Sequence, residues 1–310
     1  MEYSLFQYKS GGFQQEAVRR LLAAVNHNLF QPEEWFRWRF EQNPSGKAII
    51  VVANEGEQVV ACVIVEKFCV ACNGNNILCG CVSNVAKRDG IKSAEAISVL
   101  MDMAEQEAKE QGIEILFSFG DEYEQLKDSG IKWNDETIEI EYGIRQVKLF
   151  RSIFRLSDLR KSFRPNRCVA YHPDGSESDQ LIISDESNTC NLSHDMLKWL
   201  VSFTDKEYTI VDNDNVTAIA VVGHRGILKE SQLLTAVSKR KDVHPRMYQR
   251  FVIDTIKEKT HPDVISFVED EHLLSDRGII KRLSQFKYGY KALKVGCDSE
   301  ELAVAIYRWV

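Results

Sequence analysis

A short basic segment that contains one glycine stands between an apolar run and a long amphipathic helix. The segment reads Ala86-Lys87-Arg88-Asp89-Gly90-Ile91-Lys92-Ser93, and the helix is predicted from Ser93 to Gln111. The N-terminus of a helix presents unpaired backbone N–H groups and a partial positive charge, which together favour a phosphate. Lys87, Arg88 and Lys92 could add charge-assisted hydrogen bonds. These residues predict a phosphate-binding segment; a solvated basic turn before a core helix is the alternative interpretation.

A second group with possible chemistry is a run of cysteines. Cys69-x-x-Cys72 followed by Cys79-x-Cys81 could supply four thiolates to a tetrahedral zinc ion. Packing is the favoured interpretation, because these residues lie in predicted strands around the turn Asn73-Gly74. In a strand, Cys69 and Cys72 would point to opposite faces, and a free cysteine packs as a small apolar residue. We therefore expect no metal. The stretch holds five of the eight cysteines: Cys62, Cys69, Cys72, Cys79 and Cys81.

Length, charge and hydrophobicity limit the classes of protein to which this chain could belong. A chain of 310 residues is long for one core and typical of two domains. The net charge of −7 argues against a nucleic-acid partner. No apolar run approaches the roughly 20 residues that span a membrane, so we expect no membrane partner. The start Met1-Glu2-Tyr3-Ser4 lacks the basic and apolar segments of a secretory signal, which predicts a cytoplasmic protein.

The elements that would position the basic segment occur twice in the same order. Val85-Ala86-Lys87-Arg88 recurs as Val237-Ser238-Lys239-Arg240. Each copy follows a tryptophan-containing helix and apolar strands, and each precedes a helix and a buried strand. A repeat of this length is a whole domain. The sequence therefore predicts an α/β (α+β) fold with two domains, at residues 1–150 and 151–310, each a mixed sheet flanked by helices.

Around the first copy, hydrophobic periodicity predicts the individual elements. A helix is expected at Phe13–Val25, and a second, aromatic helix ends at Asn43-Pro44-Ser45-Gly46. Antiparallel strands follow, and the last of them leads into the basic segment. The elements expected beyond that break are strands Lys47–Ala53, Val59–Glu66, Phe68–Ala71 and Ile77–Val85, helix Ser93–Gln111, strand Glu114–Phe119 and helix Glu122–Asp128.

This order of elements resembles the GNAT (Gcn5-related N-acetyltransferase) fold, and residues 30–150 match it best. The segment from Trp35 to Gly46, an aromatic helix broken by Asn-Pro-x-Gly before an apolar strand, is similar to segments of bacterial members. Lys127-Asp128-Ser129-Gly130-Ile131-Lys132-Trp133 resembles the ending of the family's short helix. The second half resembles the same fold more faintly, which implies a degenerate second GNAT-like domain.

The resemblance implies that the basic segment binds acetyl-CoA or another acyl-CoA as co-substrate. In the family pattern Gln/Arg-x-x-Gly-x-Gly/Ala, Lys87 takes the first position and Gly90 the second, whereas Lys92 replaces the last small residue. A lysine there could crowd the cofactor. The strand before the segment would pair with the pantetheine arm. The residues implied in cofactor binding are Ser83, Val85, Lys87, Arg88, Gly90, Ile91, Lys92 and Ser93.

Acyl transfer to an amine requires a neutral amine and a proton for the departing thiolate. Family members often use a tyrosine of the short helix as the proton donor, but Leu126 occupies the matching position here. Tyr123, one turn earlier, is the nearest substitute, and Glu122 could act as a base through water. The implied partner is a small or sugar-like amine. The alternative is a catalytically inactive GNAT-fold binding protein.

The second basic loop differs in the residues that matter for a phosphate. Its sequence Lys239-Arg240-Lys241-Asp242-Val243-His244-Pro245-Arg246 has no glycine. Glycine permits close backbone approach, and Pro245 removes an N–H donor. We therefore expect the second domain not to bind coenzyme A in the family's way.

Overall fold

The computed structural model describes residues 1–8, 13–25, 32–72, 75–88, 93–148, 199, 202, 207–212, 216–238, 245–268 and 279–294. The helices in these ranges are α1 Phe13–Val25, α2 Glu33–Phe36 continued by a π-helical turn Arg37–Glu41, α3 Ser93–Glu110, α4 Gly120–Asp128 and α5 Pro245–Thr260. The strands are β1 Glu2–Leu5, β2 Ile49–Glu55, β3 Gln58–Cys72, β4 Asn75–Lys87, β5 Ile115–Phe119, β6 Asn134–Gln146, β7 Glu207–Asp212, β8 Val216–Arg225, β9 Leu228–Ser238, β10 Val264–Val268 and β11 Ile279–Ala292.

The predicted mixed α/β class is confirmed, and most predicted elements are present within a few residues. One difference concerns β3, which is a single strand where the sequence predicts two, divided at Glu66 and Lys67. Both charged residues are buried because each has a partner. The Glu66 carboxylate accepts hydrogen bonds from Arg39, whose Nη2 lies 2.7 Å from Oε1, and the Lys67 ammonium donates to the side chain of Gln111.

The chain divides into two compact units, and the division falls inside β6 and β11. Among the described residues, the first unit contains the chain up to residue 138 together with 286–294, and the second contains 139–285. A C-terminal segment, residues 286–294, thus belongs to the first unit. The predicted boundary at residue 150 lies outside the described residues.

In the first unit the strand order is β1-β2-β3-β4-β5-β11. Only β4 and β5 are parallel, and the other pairs are antiparallel. Helix α3 covers one face through Ile97, Leu100 and Met101, which pack on an apolar layer from β2 to β5. Helix α1 packs against β3 and β4. Both α1 and α3 thus pack on β4, the strand that precedes the basic segment.

In the second unit the strand order is β7-β8-β9-β10-β6, and α5 packs on this sheet through Val252, Ile253 and Ile256. Here β9 and β10 form the parallel pair.

The part of the chain with described structure contains no helix long and apolar enough to cross a membrane.

Candidate functional site

Strands β4 and β5 part at the end that leads to the basic segment. Their parallel pairing runs from Cys79↔Ile115 to Val82↔Ser118 and continues no further. Beyond this point β4 extends to Lys87, whereas β5 ends one residue on at Phe119. Among the described residues, no strand takes the place of β5 beside the last part of β4. That edge can therefore pair its backbone N–H and C=O groups with an extended ligand.

A β-bulge lies at the point of separation. On the other side of β4, Ile64 pairs with Asn84 and Val65 with Val82, which leaves Ser83 as the extra residue. A bulge bends and twists its strand, so Ser83 turns the end of β4 away from β5. Ser83 is buried, and its Oγ accepts a hydrogen bond from Asn84 Nδ2 at 3.1 Å. The bulge therefore creates the opening and fixes one polar side chain within it.

The residues after the bulge differ in what they can offer a ligand. The side chain of Val85 is buried in the core under α3, which leaves its backbone for binding. Lys87 and Arg88 are exposed at the end of the strand. The Arg88 backbone N–H donates to the Val60 carbonyl at 2.9 Å, and its Nη1 donates to Gln58 Oε1 at 2.8 Å. Arg88 is thus anchored to the neighbouring hairpin beside the open edge.

The remaining residues predicted to bind the cofactor, Gly90 to Ser93, come directly after Arg88 in the sequence. Helix α3 begins at Ser93, as the sequence predicts, so its first N–H groups lie just beyond the basic segment. Gly90, Ile91 and Lys92 lie outside the described residues. An open strand edge, two exposed cations and a helix start fit the amides and the pyrophosphate of an acyl-CoA. Ser83 to Lys87 would hold the pantetheine arm, and Arg88 and the start of α3 the pyrophosphate.

Tyr123 is buried on α4, which begins immediately after β5. Its ring lies over Gly289 of β11, where a Cβ atom would overlap it. Gly289 pairs with Ser118, so the ring covers the strand beyond β5 and is not brought next to Ser83. Burial and the nearby Asp135 carboxylate raise the pKa of Tyr123, against an opposing effect of Lys127. The phenol therefore stays protonated at neutral pH.

Two further residues of α4 bear on the predicted chemistry. Glu122 is half-buried in the first turn of the helix. Leu126, at the position where the family pattern places a tyrosine, is fully buried in the apolar core under α3. A core leucine has no proton to give, so α4 offers Tyr123 as its only phenol.

The four cysteines whose side chains the structure describes lie in strands β3 and β4. Cys62, Cys79 and Cys81 are buried free thiols, and Cys69 is half-buried. Burial raises the pKa of Cys62 to about 12, which keeps it a thiol at neutral pH. Within the described ranges, no group of three or more histidine, cysteine, aspartate or glutamate residues could hold a metal ion.

Comparison with solved structures finds this fold in N-acyltransferases. The GCN5-related N-acetyltransferase from Anabaena variabilis gives a TM-score of 0.60 at 10% identity, over 95% of this chain and 74% of that one. The GCN5-related N-acetyltransferase from Kribbella flavida gives 0.57 at 13%, over 94% and 71%. Saccharomyces cerevisiae N-myristoyltransferase, solved with bound myristoyl-CoA, gives 0.50 at 12%, over 96% and 82%. The fold is therefore that of the acyl-CoA N-acyltransferases.

Within this class the family can be stated for the first part of the chain. Residues 12–132 match the family described as the acetyltransferase (GNAT) domain. Residues 12–132 therefore match a GNAT domain, which confirms the resemblance for this part of the chain. The degenerate second GNAT-like domain stays a prediction. No curated protein sequence matches the chain. The family match ends before β6 and does not include β11.

Sequence reasoning missed the contribution of β11 to this domain. Gly289 receives the Tyr123 ring, while Tyr288 and Tyr290 donate hydrogen bonds to Glu136 of β6. The hydrophobic pattern predicts a closing segment at Ile279–Phe286, which ends before these residues. Their alternation of aromatic residue, glycine and aromatic residue has the period of a strand and was the available signal.

Proposed function

We propose that the chain is an N-acyltransferase that moves the acyl group of acetyl-CoA, or of another acyl-CoA, to an amine of a small or sugar-like acceptor. The amine nitrogen attacks the thioester carbonyl carbon, a C–N bond forms, and the C–S bond breaks. The nitrogen loses a proton and the departing thiolate gains one. The GNAT domain at residues 12–132 supports the class of reaction.

The observation that carries the proposal is the parting of β4 and β5 at Ser83. Pantetheine is an extended chain with amide groups, and the freed edge of β4 offers matching backbone donors and acceptors. Arg88 and the start of α3 would hold the pyrophosphate, and Lys87 lies beside them. The thioester would then lie near Ser83, where the strands separate. In this arrangement the protein supplies binding and orientation, which bring the two reactants together.

The proton donor in this proposal is Tyr123, with Glu122 as a base acting through water. With its raised pKa, Tyr123 is protonated at neutral pH and so carries the proton that the thiolate needs. Because its ring lies over β11 and away from Ser83, the phenol would have to reach the sulfur through water. Replacing Tyr123 by Phe should lower kcat roughly tenfold or more and leave the affinity for acetyl-CoA unchanged. Unchanged kcat would remove Tyr123 from the mechanism.

Acetyl-CoA binding tests the proposal at its first step. A ligand that binds only the native state raises the melting temperature, so acetyl-CoA should stabilise the chain. Replacing Lys87 and Arg88 together by Ala should weaken binding about three- to tenfold, because two exposed cations near the pyrophosphate are lost. Lys109→Ala, at the other end of α3, is the matched control. Absence of any shift with acetyl-CoA in the unaltered chain would rule the proposal out.

A second function is favoured by one observation, the core leucine at position 126. A GNAT-fold protein that binds acyl-CoA without transferring the acyl group would keep the open edge of β4 and need no acid on α4. One assay distinguishes the two functions. The enzyme releases free coenzyme A in the presence of an amine acceptor, whereas the binding protein shows the same thermal shift without release.

We also infer that the second unit is a repeat of the first that lost this site. Its parallel pairing ends at Leu233↔Phe267, and the neighbouring register leaves Leu234 as the extra residue, as Ser83 is in the first unit. If Leu234 is equivalent to Ser83, then Ser238 is equivalent to Lys87. The repeated tetrapeptide instead aligns Lys87 with Lys239, so the two alignments differ by one residue. Pro245 then begins α5 where Ser93 begins α3. The helix start has lost an N–H donor at the position that matters for a phosphate.

A further inference from the structure

Ser83 and Asn84 are polar residues in an otherwise apolar part of β4. From Cys79 to Ala86 the other residues are cysteine, glycine, valine and alanine. Asn84 is half-buried, and its Nδ2 donates a hydrogen bond to Ser83 Oγ at 3.1 Å. A side-chain amide has two N–H donors, so this bond uses one of them. Among the described residues the Asn84 amide makes this hydrogen bond alone, which leaves its second N–H for a ligand.

The bulge decides on which face of the sheet this amide lies. Val82 and Val85 both pack in the core under α3, although residues three apart in a regular strand lie on opposite faces. The extra residue, Ser83, accounts for the change. Asn84 directly precedes Val85, so its side chain lies on the face away from α3. The amide is thus kept out of that core, at the start of the free edge of β4.

An amide at this point has the properties needed to act on a thioester. In the proposed arrangement the thioester lies near Ser83, and its carbonyl oxygen gains negative charge when the amine attacks. A donor that is already oriented stabilises such a charge without reorganising. Ser83 holds one N–H of the Asn84 amide, and the planar amide then fixes the direction of the other. The pantetheine amides do not need this group, because the backbone of the free edge can pair with them.

We propose that Asn84, held by Ser83, donates the second N–H of its side chain to the carbonyl oxygen of the bound acyl thioester. The hydrogen stays on the amide nitrogen throughout, and the bonds that form and break are those of the proposed acyl transfer. The inference rests on the proposed function for the position of the thioester. It makes Asn84 a catalytic residue and Ser83 a positioning residue.

Two ligands that differ in one oxygen test this contact. Acetyl-CoA carries the thioester carbonyl, and ethyl-CoA is the thioether of the same length without it. By calorimetry, Asn84→Ala should bind acetyl-CoA about two- to tenfold more weakly, the effect of one lost hydrogen bond, and ethyl-CoA with unchanged affinity. Asn84→Asp has nearly the same shape but no N–H donor, so it should lose the same preference for acetyl-CoA over ethyl-CoA.

Asn54→Ala is the matched control. Asn54 is a half-buried asparagine of β2 whose Nδ2 also donates to a serine, Ser4 Oγ, at 3.5 Å. Strand β3 separates it from β4. The substitution should leave the affinities for acetyl-CoA and ethyl-CoA unchanged.

The carbonyl stretching band of bound acetyl-CoA, isotope-labelled at the carbonyl carbon, reports the hydrogen bond independently of affinity. In infrared difference spectra this band should lie at lower wavenumber in the unaltered chain than in Asn84→Ala. Ser83→Ala should move the band in the same direction as Asn84→Ala, because the amide is no longer held. Ser83→Thr keeps a hydroxyl and should keep the band close to its position in the unaltered chain.

Equal weakening of both ligands in Asn84→Ala, or a band that does not move, would overturn the role of Asn84. A band that stays in place in Ser83→Ala would overturn the positioning role of Ser83. Either result, with acetyl-CoA still bound by the unaltered chain, would leave the proposed function standing. Failure of the unaltered chain to bind either ligand would overturn both the contact and the proposed function.

Discussion

Ser83 is the residue at which β4 changes from a core strand into a possible ligand edge. From Cys79 to Val82 the strand pairs on both sides, and after Ser83 its pairing among the described residues is with β3 alone. The sequence predicts Ser83 as a cofactor contact through the family resemblance, but nothing in its residue type indicates a bulge. Serine is common in strands and turns alike. The bulge at Ser83 can be recognised only when the pairing of β4 with β3 and with β5 is known.

For other residues the sequence predicts the role or the burial with different success. The predicted roles of Lys87, Arg88 and Ser93 follow from general rules for helix starts and phosphates. In the structure, β4 ends at Lys87 and α3 begins at Ser93, and the roles stay predictions. In the helix predicted at Arg246–Lys259, periodicity places Phe251 and Val252 on one side, and Val252 is buried whereas Phe251 is exposed. Ile253 takes the buried position instead of Phe251, because periodicity assigns a face only to within about one residue.

Tyr8 gives a prediction about pH. Its phenol donates to the Ala48 carbonyl, and burial, Glu41 and Glu66 raise its pKa above the usual value. The folded chain then keeps a proton that the unfolded chain loses above about pH 10, so the stability from neutral Tyr8 is complete below that pH and is lost as the pH rises. The slope is at most about 1.4 kcal/mol per pH unit.

Tyr8→Phe removes this titration. Its melting temperature should fall less than that of the unaltered chain between about pH 9 and about pH 11.5. Other tyrosines titrate in both proteins, so the difference between the two curves isolates Tyr8. Parallel curves over this range would contradict the assignment.

Strand β11 is the element that sequence analysis could not place. Its pairing with β5 joins Tyr288 to Phe119 and Ala292 to Ile115, and Lys291 binds Glu105 of α3. The hydrophobic pattern shows that such a segment is a strand. It does not show which strand becomes its neighbour, because pairing across most of the chain leaves no local signal. The helices and hairpins could be predicted from the sequence because their contacts join residues that are close in the chain.

The contact between Gly289 and Tyr123 predicts a large effect of a small change. Gly289→Ala places a methyl group within the ring of Tyr123, so the ring or the strand must move, at a cost of about 1–3 kcal/mol. Gly223→Ala in β8 is the control, since no heavy atom lies within 4 Å of its Cβ position. Calorimetry should show a lower melting temperature for Gly289→Ala and little change for Gly223→Ala. Equal stability of the two variants would show that Tyr123 is not held by β11.

At the scale of the whole molecule, the first unit needs the end of the chain. The family match covers residues 12–132, but the sheet of that unit includes residues 286–292 of β11. Composition and repeats predict two domains. They cannot reveal that one of them takes a strand from the far end of the sequence. The predicted cytoplasmic location and the role of the second unit stay predictions.

Removal of the part of β11 that belongs to the first unit, from Phe286 onward, tests this dependence. A chain that ends at residue 285 leaves β5 without its antiparallel partner and uncovers Phe117, Phe119 and Tyr123. We expect it to lose cooperative unfolding and any stabilisation by acetyl-CoA, as seen by circular dichroism and thermal shift. A truncated chain that still melts cooperatively and responds to acetyl-CoA would show that residues 1–285 suffice.

Hydrogen–deuterium exchange with and without acetyl-CoA tests the central proposal most directly, namely that the ligand pairs with β4 beyond the bulge. Backbone amides from Ser83 to Ser93 should exchange more slowly when acetyl-CoA is present, because the pantetheine arm and pyrophosphate occupy them. The equivalent stretch of the second unit, Leu234 to Arg246, should not change. Unchanged exchange at Ser83 to Ser93 with saturating acetyl-CoA, or protection of the second stretch instead, would contradict the account.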